Sequence, residues 1–378
     1  MSAPQLATLR DALREHDAAA FLTTDPDQQM YLVGFRALIY SRPIVLVVGR
    51  EHTTLIVPEL EDAHAREFAQ VDDVQSYNER PGATTPGSHV PPLDALLAAL
   101  PTGSRIAIDD ERLSLAHVLR VRAHGHNPID LGTVMRDLRA RKHPHEVAAI
   151  RAAGELVAVG VRASLAACRP GVSELEIDAA GTAAIQVGAT GFGPDATVEL
   201  LTMTPSGVHR STLPHVFSTT RALVAGDVLI HTRQVALNGY RAELERTAIV
   251  GAPSGPQARA FGTMLDAQQA AIEALRPGVA ACDVDRAARD VIERAGYGQY
   301  AIHRSGHGIA IGITEHPHLR HDNAEPLLPG MVVTIEPGFY VPGLGGFRHS
   351  DTLLVTDDGA EPLTEHPRSL EALTLAAD

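Results

Sequence analysis

Two similar stretches of sequence decide the fold: Arg169-Pro170-Gly171-Val172 recurs later in the chain as Arg276-Pro277-Gly278-Val279. At the same spacing further residues match, namely Asp178 with Asp285, Ile185 with Ile292 and Gly191 with Gly298. Each copy reads as a turn and a helix followed by a pair of strands, so the internal repeat spans about 169–251 and 276–364. We expect the two halves to face each other, with an active-site cleft at their pseudo-two-fold axis.

The sequence before this repeat has the pattern of a separate α/β domain. Helical apolar spacing alternates with short apolar runs such as 43–48, which are typical of buried strands. The Pro- and Gly-rich stretch 81–92 predicts a polar loop. A long amphipathic helix then begins around Pro144, because proline is favoured in the first turn of a helix. The predicted domains are therefore 1–141 and 142–378.

Composition narrows the class of protein. The chain has 378 residues, of which 44% are hydrophobic and 21% charged, as in ordinary globular proteins. Its net charge of -14 argues against binding to nucleic acid or to an anionic membrane. No apolar run reaches the roughly 18 residues of a membrane span. Two cysteines cannot form a disulfide framework, which predicts a cytoplasmic protein.

Three glutamates are candidates for the cleft. Glu336 follows the apolar run 331–335, and a charge at the end of a buried strand needs a partner or a chemical role. Glu243 and Glu245 are separated by one residue, so both carboxylates lie on one face of their strand. Two neighbouring carboxylates either raise one pKa or bind a cation. The alternatives are an exposed strand face, or carboxylates satisfied by backbone N–H groups or a nearby arginine.

Two histidines and one arginine adjoin the same elements. His307 is flanked by glycines, which allow the backbone to approach a ligand closely. His215 lies in a loop just before the first strand of the repeat. Among 19 histidines a single one is usually structural, but these two neighbour the predicted cleft. Arg42, which precedes Pro43 at the start of a strand, is either a solvated end residue or a carboxylate clamp.

Motifs in both halves of the repeat resemble those of one enzyme family. They are Gly306-His307-Gly308-Ile309, Thr334-Ile335-Glu336-Pro337-Gly338, Gly239-Tyr240-Arg241 and Gly346-Phe347-Arg348. They closely resemble the pita-bread peptidase family, which contains Xaa-Pro dipeptidase, aminopeptidase P, methionine aminopeptidase and creatinase. The resemblance covers almost the whole chain. It implies an α+β protein with a creatinase/prolidase-like N-terminal α/β domain and a pseudo-two-fold pita-bread catalytic domain.

The resemblance also implies that metal ligands have been lost. The family's peptidases hold two metal ions with Asp, Asp, His, Glu and Glu, and the corresponding residues here are Thr232, Glu243, His307, Glu336 and Ser350. Divalent ions need several oxygen ligands in a fixed arrangement, so we expect no binuclear centre. Three possible substitutes adjoin the lost positions, but strand alternation points them to the opposite face; they are His231, His349 and Asp351.

The remaining residues of the predicted cleft resemble those of the metal-free branch of the family more closely. By similarity to creatinase, Glu245 and Glu336 grip a guanidinium group and His215 is the catalytic histidine. Arg42, with Tyr40 two residues before it, corresponds to a carboxylate-binding arginine that a neighbouring subunit donates. A second carboxylate-binding arginine has no clear match. One histidine can deliver and accept the protons that C–N cleavage requires.

Three functional hypotheses follow. The first, ranked highest, is a metal-independent, cofactor-free hydrolase that cleaves a C–N bond in a small carboxylate-bearing amidine, guanidine or amide, as creatinase or ectoine hydrolase does. It predicts a homodimer with Arg42 donated across the interface, the catalytic residues His215, Glu245, Glu336 and His307, and the substrate-binding residues Arg42, Tyr40 and Glu243. The second is an Xaa-Pro dipeptidase or aminopeptidase with an atypical one-metal centre, in which Glu243, His307 and Glu336 bind Mn or Zn. The third is a non-catalytic peptide-binding pseudoenzyme.

Overall fold

A computed structural model of the chain describes residues 4–78 and 90–377. The chain forms two compact units, Met1–Arg139 and Ala140–Asp378. Residues 81–89 of the predicted polar loop lie outside the described part, and a helix begins at Pro91. Within the described ranges, no helix has the length and apolar character needed to cross a bilayer.

The first unit is built on a six-stranded sheet. Its strands are β1 (Ala18–Thr23), β2 (Val45–Gly49), β3 (Thr53–Pro58), β4 (Asp73–Tyr77), β5 (Arg105–Ile108) and β6 (Asn127–Asp130). Its helices are α1 (Pro4–Glu15), α2 (Pro26–Val33), α3 (Asp62–Phe68), α4 (Pro91–Ala99), α5 (Leu115–Ala123) and α6 (Gly132–Ala140), with a 3-10 turn at Glu59–Glu61. The strand order is β4-β3-β2-β1-β5-β6. Local sequence fixes α2, because Asp25 caps its first turn by accepting from the Gln28 N–H at 2.8 Å.

The second unit combines five α-helices with a long mixed sheet. The helices are α7 (Pro144–Ala167), α8 (Glu174–Ala189), α9 (Gly207–Arg210), α10 (Gly255–Ala274) and α11 (Ala281–Arg294), with 3-10 turns at Thr190–Phe192 and Gly298–Tyr300. The strands are β7 (Val198–Met203), β8 (Val228–Leu237), β9 (Tyr240–Val250), β10 (Gly306–Gly308), β11 (Glu315–Leu319), β12 (Val332–Ile335), β13 (Gly338–Val341), β14 (Gly345–Arg348), β15 (Ser350–Val355), β16 (Ala360–Pro362) and β17 (Thr374–Leu375). The main sheet has the order β11-β10-β12-β15-β9-β8-β7, with β16 paired to β15 and β17 to β9, whereas β13 and β14 form a separate hairpin.

The two halves of this unit repeat one another down to individual hydrogen bonds. Gly171 and Gly278 both have positive φ angles, 87° and 83°, which glycine adopts without the strain of a side chain. The Gly171 N–H donates to the Leu223 carbonyl at 2.9 Å, and the Gly278 N–H donates to the Leu327 carbonyl at 2.7 Å. This duplication confirms the pseudo-two-fold pita-bread architecture and the α+β fold class.

The junction of the halves lies at the middle of the main sheet. Strands β9 and β15 pair there, with Ser350 opposite Glu245. Helix α7 packs against β8 and β9 through buried apolar residues such as Ile150 and Val157. Apolar packing on one face of the sheet leaves the other face of β8 and β9 for the polar residues that form the site.

Candidate active site

A pocket of about 1090 Å³ in the second unit brings the predicted residues of that unit together. Its lining includes all five of them: His215, Glu243, Glu245, His307 and Glu336. Apolar residues also line it: Leu201, Met203, Pro214, Val216, Phe217, Ile302 and Ile313. A concave site with a mostly apolar wall and a few converging polar groups is typical of small-molecule binding.

His307, Glu336 and Glu243 converge at this pocket from three strands. His307 belongs to β10, Glu336 follows the adjacent β12, and Glu243 lies in β9. His307 Nε2 lies 3.2 Å from a carboxylate oxygen of Glu336. His307 Nδ1 lies 2.9 Å from the Gly308 carbonyl, and this contact fixes the orientation of the ring. One ligand atom from each of the three residues lies within 4.8 Å of the others.

Charges within this trio shift all three pKa values. Burial by itself lowers the pKa of His307, but the carboxylates of Glu336 and Glu243 outweigh it and raise that pKa to about 9. Burial raises the pKa of Glu336, but His307 and Arg348 together lower it to about 2. Burial and the negative charge of Glu336 raise the pKa of Glu243. Without bound metal, His307 and Glu336 therefore form an imidazolium–carboxylate pair.

The two lost ligand positions now carry hydroxyl groups that support the glutamates. Ser350 Oγ donates to Glu243 at 2.6 Å, and Thr232 Oγ1 donates to Glu245 at 2.6 Å. The second oxygen of Glu243 accepts from Gln234 Nε2 at 2.5 Å. These bonds hold both carboxylates in fixed orientations inside a buried site.

Glu245 does not have the role that its resemblance to creatinase implied. Arg348 forms a bidentate ion pair with Glu245. Its Nε lies 2.5 Å from one carboxylate oxygen of Glu245, and its Nη2 lies 2.7 Å from the other. Burial raises the pKa of Glu245 to about 7, against the opposing effect of Arg348. Since both oxygens are already occupied by a guanidinium from this chain, Glu245 is not available to grip one from a substrate.

Sequence reasoning missed a series of buried hydrogen bonds that extends from Arg348 to Tyr340 and His303. Arg348 Nη1 donates to Tyr340 Oη at 2.9 Å, and Tyr340 Oη lies 2.9 Å from His303 Nε2. The other nitrogen of His303 lies 2.7 Å from the Arg304 carbonyl. Burial and Arg348 lower the pKa of His303, which matches a neutral ring that uses both nitrogens internally. The repeat aligns Gly239-Tyr240-Arg241 with Gly346-Phe347-Arg348, which marks Arg348 without revealing its partner.

Gln234 was also missed. It is 3% exposed and lines the pocket, and its Oε1 has no hydrogen-bond partner among the described residues. A buried acceptor left unpaired costs free energy, so it marks a place where a ligand or water can donate. Its only signal in the sequence is a polar residue two positions after Thr232, on the same face of β8.

The remaining predicted residues lie in different surroundings. His215 is exposed at the wall of the pocket. Tyr40 and Arg42 belong to the first unit, between α2 and β2. Tyr40 Oη accepts from the Ala37 N–H at 3.1 Å, and the Arg42 guanidinium contacts Ser41 Oγ at 3.3 Å.

The three residues beside the lost ligand positions point away from the pocket. His231 contacts Thr204 at 2.8 Å, and His349 accepts from the Thr247 N–H at 3.1 Å. Asp351 forms an ion pair with Arg246 at 2.7 Å. None of the three lines the pocket, as strand alternation predicts.

The donor set therefore fits one divalent cation. A histidine nitrogen and two carboxylates form a set that Zn and Mn accept, and their spacing lets all three face one ion. The hydroxyl groups of Thr232 and Ser350 donate hydrogen bonds to Glu245 and Glu243, so these two residues do not complete a ligand set for a second metal ion.

The duplicated sheet and the trio of Glu243, His307 and Glu336 place the chain in the pita-bread class. Residues 148–357 match the model of metallopeptidase family M24, and residues 5–141 match the creatinase/prolidase N-terminal domain. The chain belongs to metallopeptidase family M24 and is a hydrolase of C–N bonds.

Individual relatives are similar along nearly their whole length. The chain is 33% identical over 359 residues to a putative dipeptidase, YkvY, of Bacillus subtilis, covering 93% of this chain and 94% of that protein. It is 31% identical over 327 residues to the Xaa-Pro dipeptidase of Pyrococcus furiosus, covering 86% and 88%. Among solved structures, the prolidase of Pyrococcus horikoshii OT3 has a TM-score of 0.85 at 27% identity, covering 97% of this chain and 100% of that one.

These similarities correct two predictions from the sequence. The metal-independent, creatinase-like or ectoine-hydrolase-like function ranked first is wrong, because the relatives are dipeptidases of a metallopeptidase family. The prediction of no cofactor is wrong for the same reason, and the trio of Glu243, His307 and Glu336 offers a place for a metal ion. The physical source of the error is Glu245, whose carboxylate is already bound to Arg348.

Proposed function

We propose that the protein is a dipeptidase that cleaves Xaa-Pro dipeptides with one divalent metal ion, Mn or Zn, held by Glu243, His307 and Glu336. The observation that carries the proposal is the convergence of these three ligand atoms within 4.8 Å at the pocket. The dipeptidase relatives support it. A pocket of about 1090 Å³ is large enough for a dipeptide.

Residues of the pocket have the groups that this reaction needs. A divalent ion in such a site supplies Lewis-acid polarisation of the scissile carbonyl. We assign proton transfer to His215, which is exposed at the wall of the pocket, including delivery of the proton that the leaving nitrogen must receive. Gln234 Oε1, which lacks a partner among the described residues, accepts a hydrogen bond from the amino group of the substrate.

Metal binding and turnover, measured together, test this function. Protein stripped with a chelator is supplied with Mn or Zn, bound metal is measured by elemental analysis, and hydrolysis of Ala-Pro is followed by release of proline. We expect about one equivalent of metal, and turnover only with metal present. Glu336→Gln should lose both metal binding and turnover. The matched control is Glu273→Gln in α10, which should lose neither, because the Glu273 side chain is exposed and accepts a hydrogen bond from Gln269 at 2.9 Å.

Two outcomes would contradict the proposal. Full activity on Ala-Pro in the metal-free protein would remove the metal from the reaction. Stoichiometric metal binding without cleavage of any Xaa-Pro dipeptide would favour the peptide-binding pseudoenzyme.

The homodimer and the cytoplasmic location remain part of the proposal. The resemblance to creatinase supports a dimer in which Arg42 reaches the pocket of the partner subunit. Cys168 and Cys282 are both free, in keeping with a reducing compartment.

A further inference from the structure

A second cavity of about 890 Å³ lies in the second unit, bounded by α7, β15, β16 and the segment 363–368. Asp351 and Leu353 of β15 line it, whereas Ser350 of the same strand faces the active-site pocket through its bond to Glu243. Because side chains alternate along a strand, the second cavity lies on the opposite face of the sheet. No residue lines both cavities.

The walls of this cavity are fixed by hydrogen bonds. Thr364 Oγ1 accepts from the Thr352 N–H at 3.0 Å, and Arg246 Nη2 donates to the His366 carbonyl at 2.9 Å. These bonds attach the segment 363–368 to β9 and β15. The cavity therefore exists before a ligand enters, and little conformational entropy is lost on binding.

The four arginines that line the cavity differ in their partners. Arg246 pairs with Asp351 at 2.7 Å, and Arg151 pairs with Glu361 at 2.9 Å. The charges of these two guanidinium groups are therefore compensated within the chain. The other two arginines have different surroundings.

Arg162 and Arg368 form no ion pair within the described part of the chain. Arg368 donates to the amide oxygens of Gln268 and Gln269 at 3.3 and 3.2 Å, which do not neutralise its charge. Burial lowers the pKa of His366, another residue of the lining, and the positive charge of Arg162 lowers it further. The charge of Arg162 thus acts inside the cavity, and an anion would be attracted to this end of it.

The remaining lining indicates an anion with a single charge and an apolar body. A volume of about 890 Å³ suits an organic ligand and far exceeds the needs of an inorganic ion. Apolar surface is supplied by residues such as Ile272, Leu353 and Pro362. Glu155 and Glu365 also line the cavity, are exposed, and repel an anion of higher charge. A monocarboxylate matches this combination, because it pairs with a guanidinium in a bidentate manner.

Hydrogen bonds connect this cavity to the active site through Gln268. Its side chain, which is 0% exposed, accepts from Arg368 and donates to the Ile335 carbonyl at 3.1 Å and to Asp351 at 2.9 Å. Ile335 directly precedes the proposed metal ligand Glu336. A ligand that engages Arg368 therefore acts on a side chain that supports the backbone next to that glutamate.

We propose that the second cavity binds a small monocarboxylate with an apolar body through Arg368 and Arg162, and that this binding is coupled to the metal site through Gln268. The coupling rests on the proposed metal site, whereas the binding site does not. Linkage requires reciprocity, so the ligand changes the affinity for metal by the same factor as the metal changes the affinity for the ligand.

Calorimetry of the metal-free protein tests the binding site, with hexanoate as the probe and hexanamide as its neutral counterpart. The wild type should bind hexanoate at least about tenfold more tightly than hexanamide. Arg368→Gln should weaken hexanoate binding by about 10- to 150-fold, because hydrogen bonds to a charged group are lost. Arg162→Gln should weaken it by a smaller factor, since Arg162 is exposed. Arg286→Gln, which changes an exposed arginine of α11 outside the cavity, is the matched control and should bind as wild type.

Three results would overturn the binding site. They are equal hexanoate affinity in wild type and Arg368→Gln, equal affinity of the wild type for hexanoate and hexanamide, and tighter binding of inorganic phosphate than of hexanoate. The first would place the carboxylate elsewhere on the protein, including the active-site pocket.

Competitive titration of Zn against a chromophoric chelator, with and without saturating hexanoate, tests the coupling. Hexanoate should change the Zn affinity of the wild type by about fivefold or more, and Zn should change the hexanoate affinity equally. Gln268→Leu should still bind hexanoate, which shows that the variant is folded, but should lose the coupling. Gln269→Ala, an exposed neighbour that also contacts Arg368, should keep it.

The outcomes separate this inference from the proposed function. An unchanged Zn affinity, or coupling that persists in Gln268→Leu, would overturn the connection through Gln268. A wild type that binds hexanoate but no metal would contradict the proposed function together with the coupling that rests on it, and would leave the second cavity as a binding site.

Discussion

Arg348 and Glu245 form a bidentate ion pair inside the protein, with both side chains no more than 3% exposed. The third nitrogen of the guanidinium donates to Tyr340 Oη, so the pair connects the hairpin of β13 and β14 to the centre of the main sheet. Thr232 adds a further hydrogen bond to Glu245. The pair fixes the wall of the pocket next to the proposed metal ligands.

Removing one partner of this pair should be far more damaging than removing both. Glu245→Leu leaves a buried guanidinium without its carboxylate, and we expect a loss of about 3–5 kcal/mol in the free energy of unfolding. The double variant Glu245→Leu/Arg348→Met should recover much of that loss, because no uncompensated charge remains. Urea denaturation of the metal-free proteins measures both. Equal stability of the single and double variants would contradict the pairing.

The Glu245 pair also shows where sequence reasoning stops. The period of two along a strand predicts that Glu243 and Glu245 share one face of the sheet. It also predicts that His231 and His349 point to the opposite face, because side-chain direction depends only on local strand geometry. Arg348 is 103 residues from Glu245 in the sequence, and their contact depends on how the hairpin packs against the sheet. The alignment with creatinase therefore assigned Glu245 to a substrate without revealing that it was already occupied.

The fold itself was predictable because its signals are local and repeated. The Arg-Pro-Gly-Val stretches mark equivalent turns, in which Gly171 and Gly278 take up the positive φ angles that the turns require. Ser173 caps α8 together with Glu176, a capping box that the residue types predict. The unpaired oxygen of Gln234 has no such signal, since burial and hydrogen-bond satisfaction emerge only from the complete packing.

Metal affinity should rise steeply with pH through the neutral range. His307 has a pKa of about 9 in the metal-free protein, so at pH 7 a metal ion must displace a proton from its imidazole. Below that pKa, the apparent affinity should increase roughly tenfold per pH unit, and above it the increase should level off. Competitive titration against a chromophoric chelator from pH 6 to pH 10 tests this. A metal affinity that does not change between pH 7 and pH 9 would show that metal binding does not displace a proton from His307.

His215 should affect turnover without affecting the metal. It is exposed at the pocket wall and is not part of the trio of Glu243, His307 and Glu336. His215→Ala should therefore lower kcat on Ala-Pro by about 10²- to 10⁴-fold, the range of general acid–base catalysis, at unchanged metal content. His209→Ala, which removes an exposed histidine of α9 outside the pocket lining, is the matched control. Unchanged kcat in His215→Ala would exclude the residue from proton transfer.

Mixing two variants, one lacking the substrate-binding residue Arg42 and one lacking the proton-transfer residue His215, tests whether Arg42 acts on the partner's pocket. In a two-fold symmetric dimer of Arg42→Ala with His215→Ala, one pocket combines the intact His215 with the intact Arg42 of the other chain. Random mixing should then restore about one quarter of the wild-type activity, because half of the dimers are hybrids and each hybrid has one complete site. Mixing Arg42→Ala with the double variant Arg42→Ala/His215→Ala provides the control and should restore none. Recovery only to the level of that control would place Arg42 outside a shared site, and sedimentation of the mixture would show whether hybrid dimers had formed.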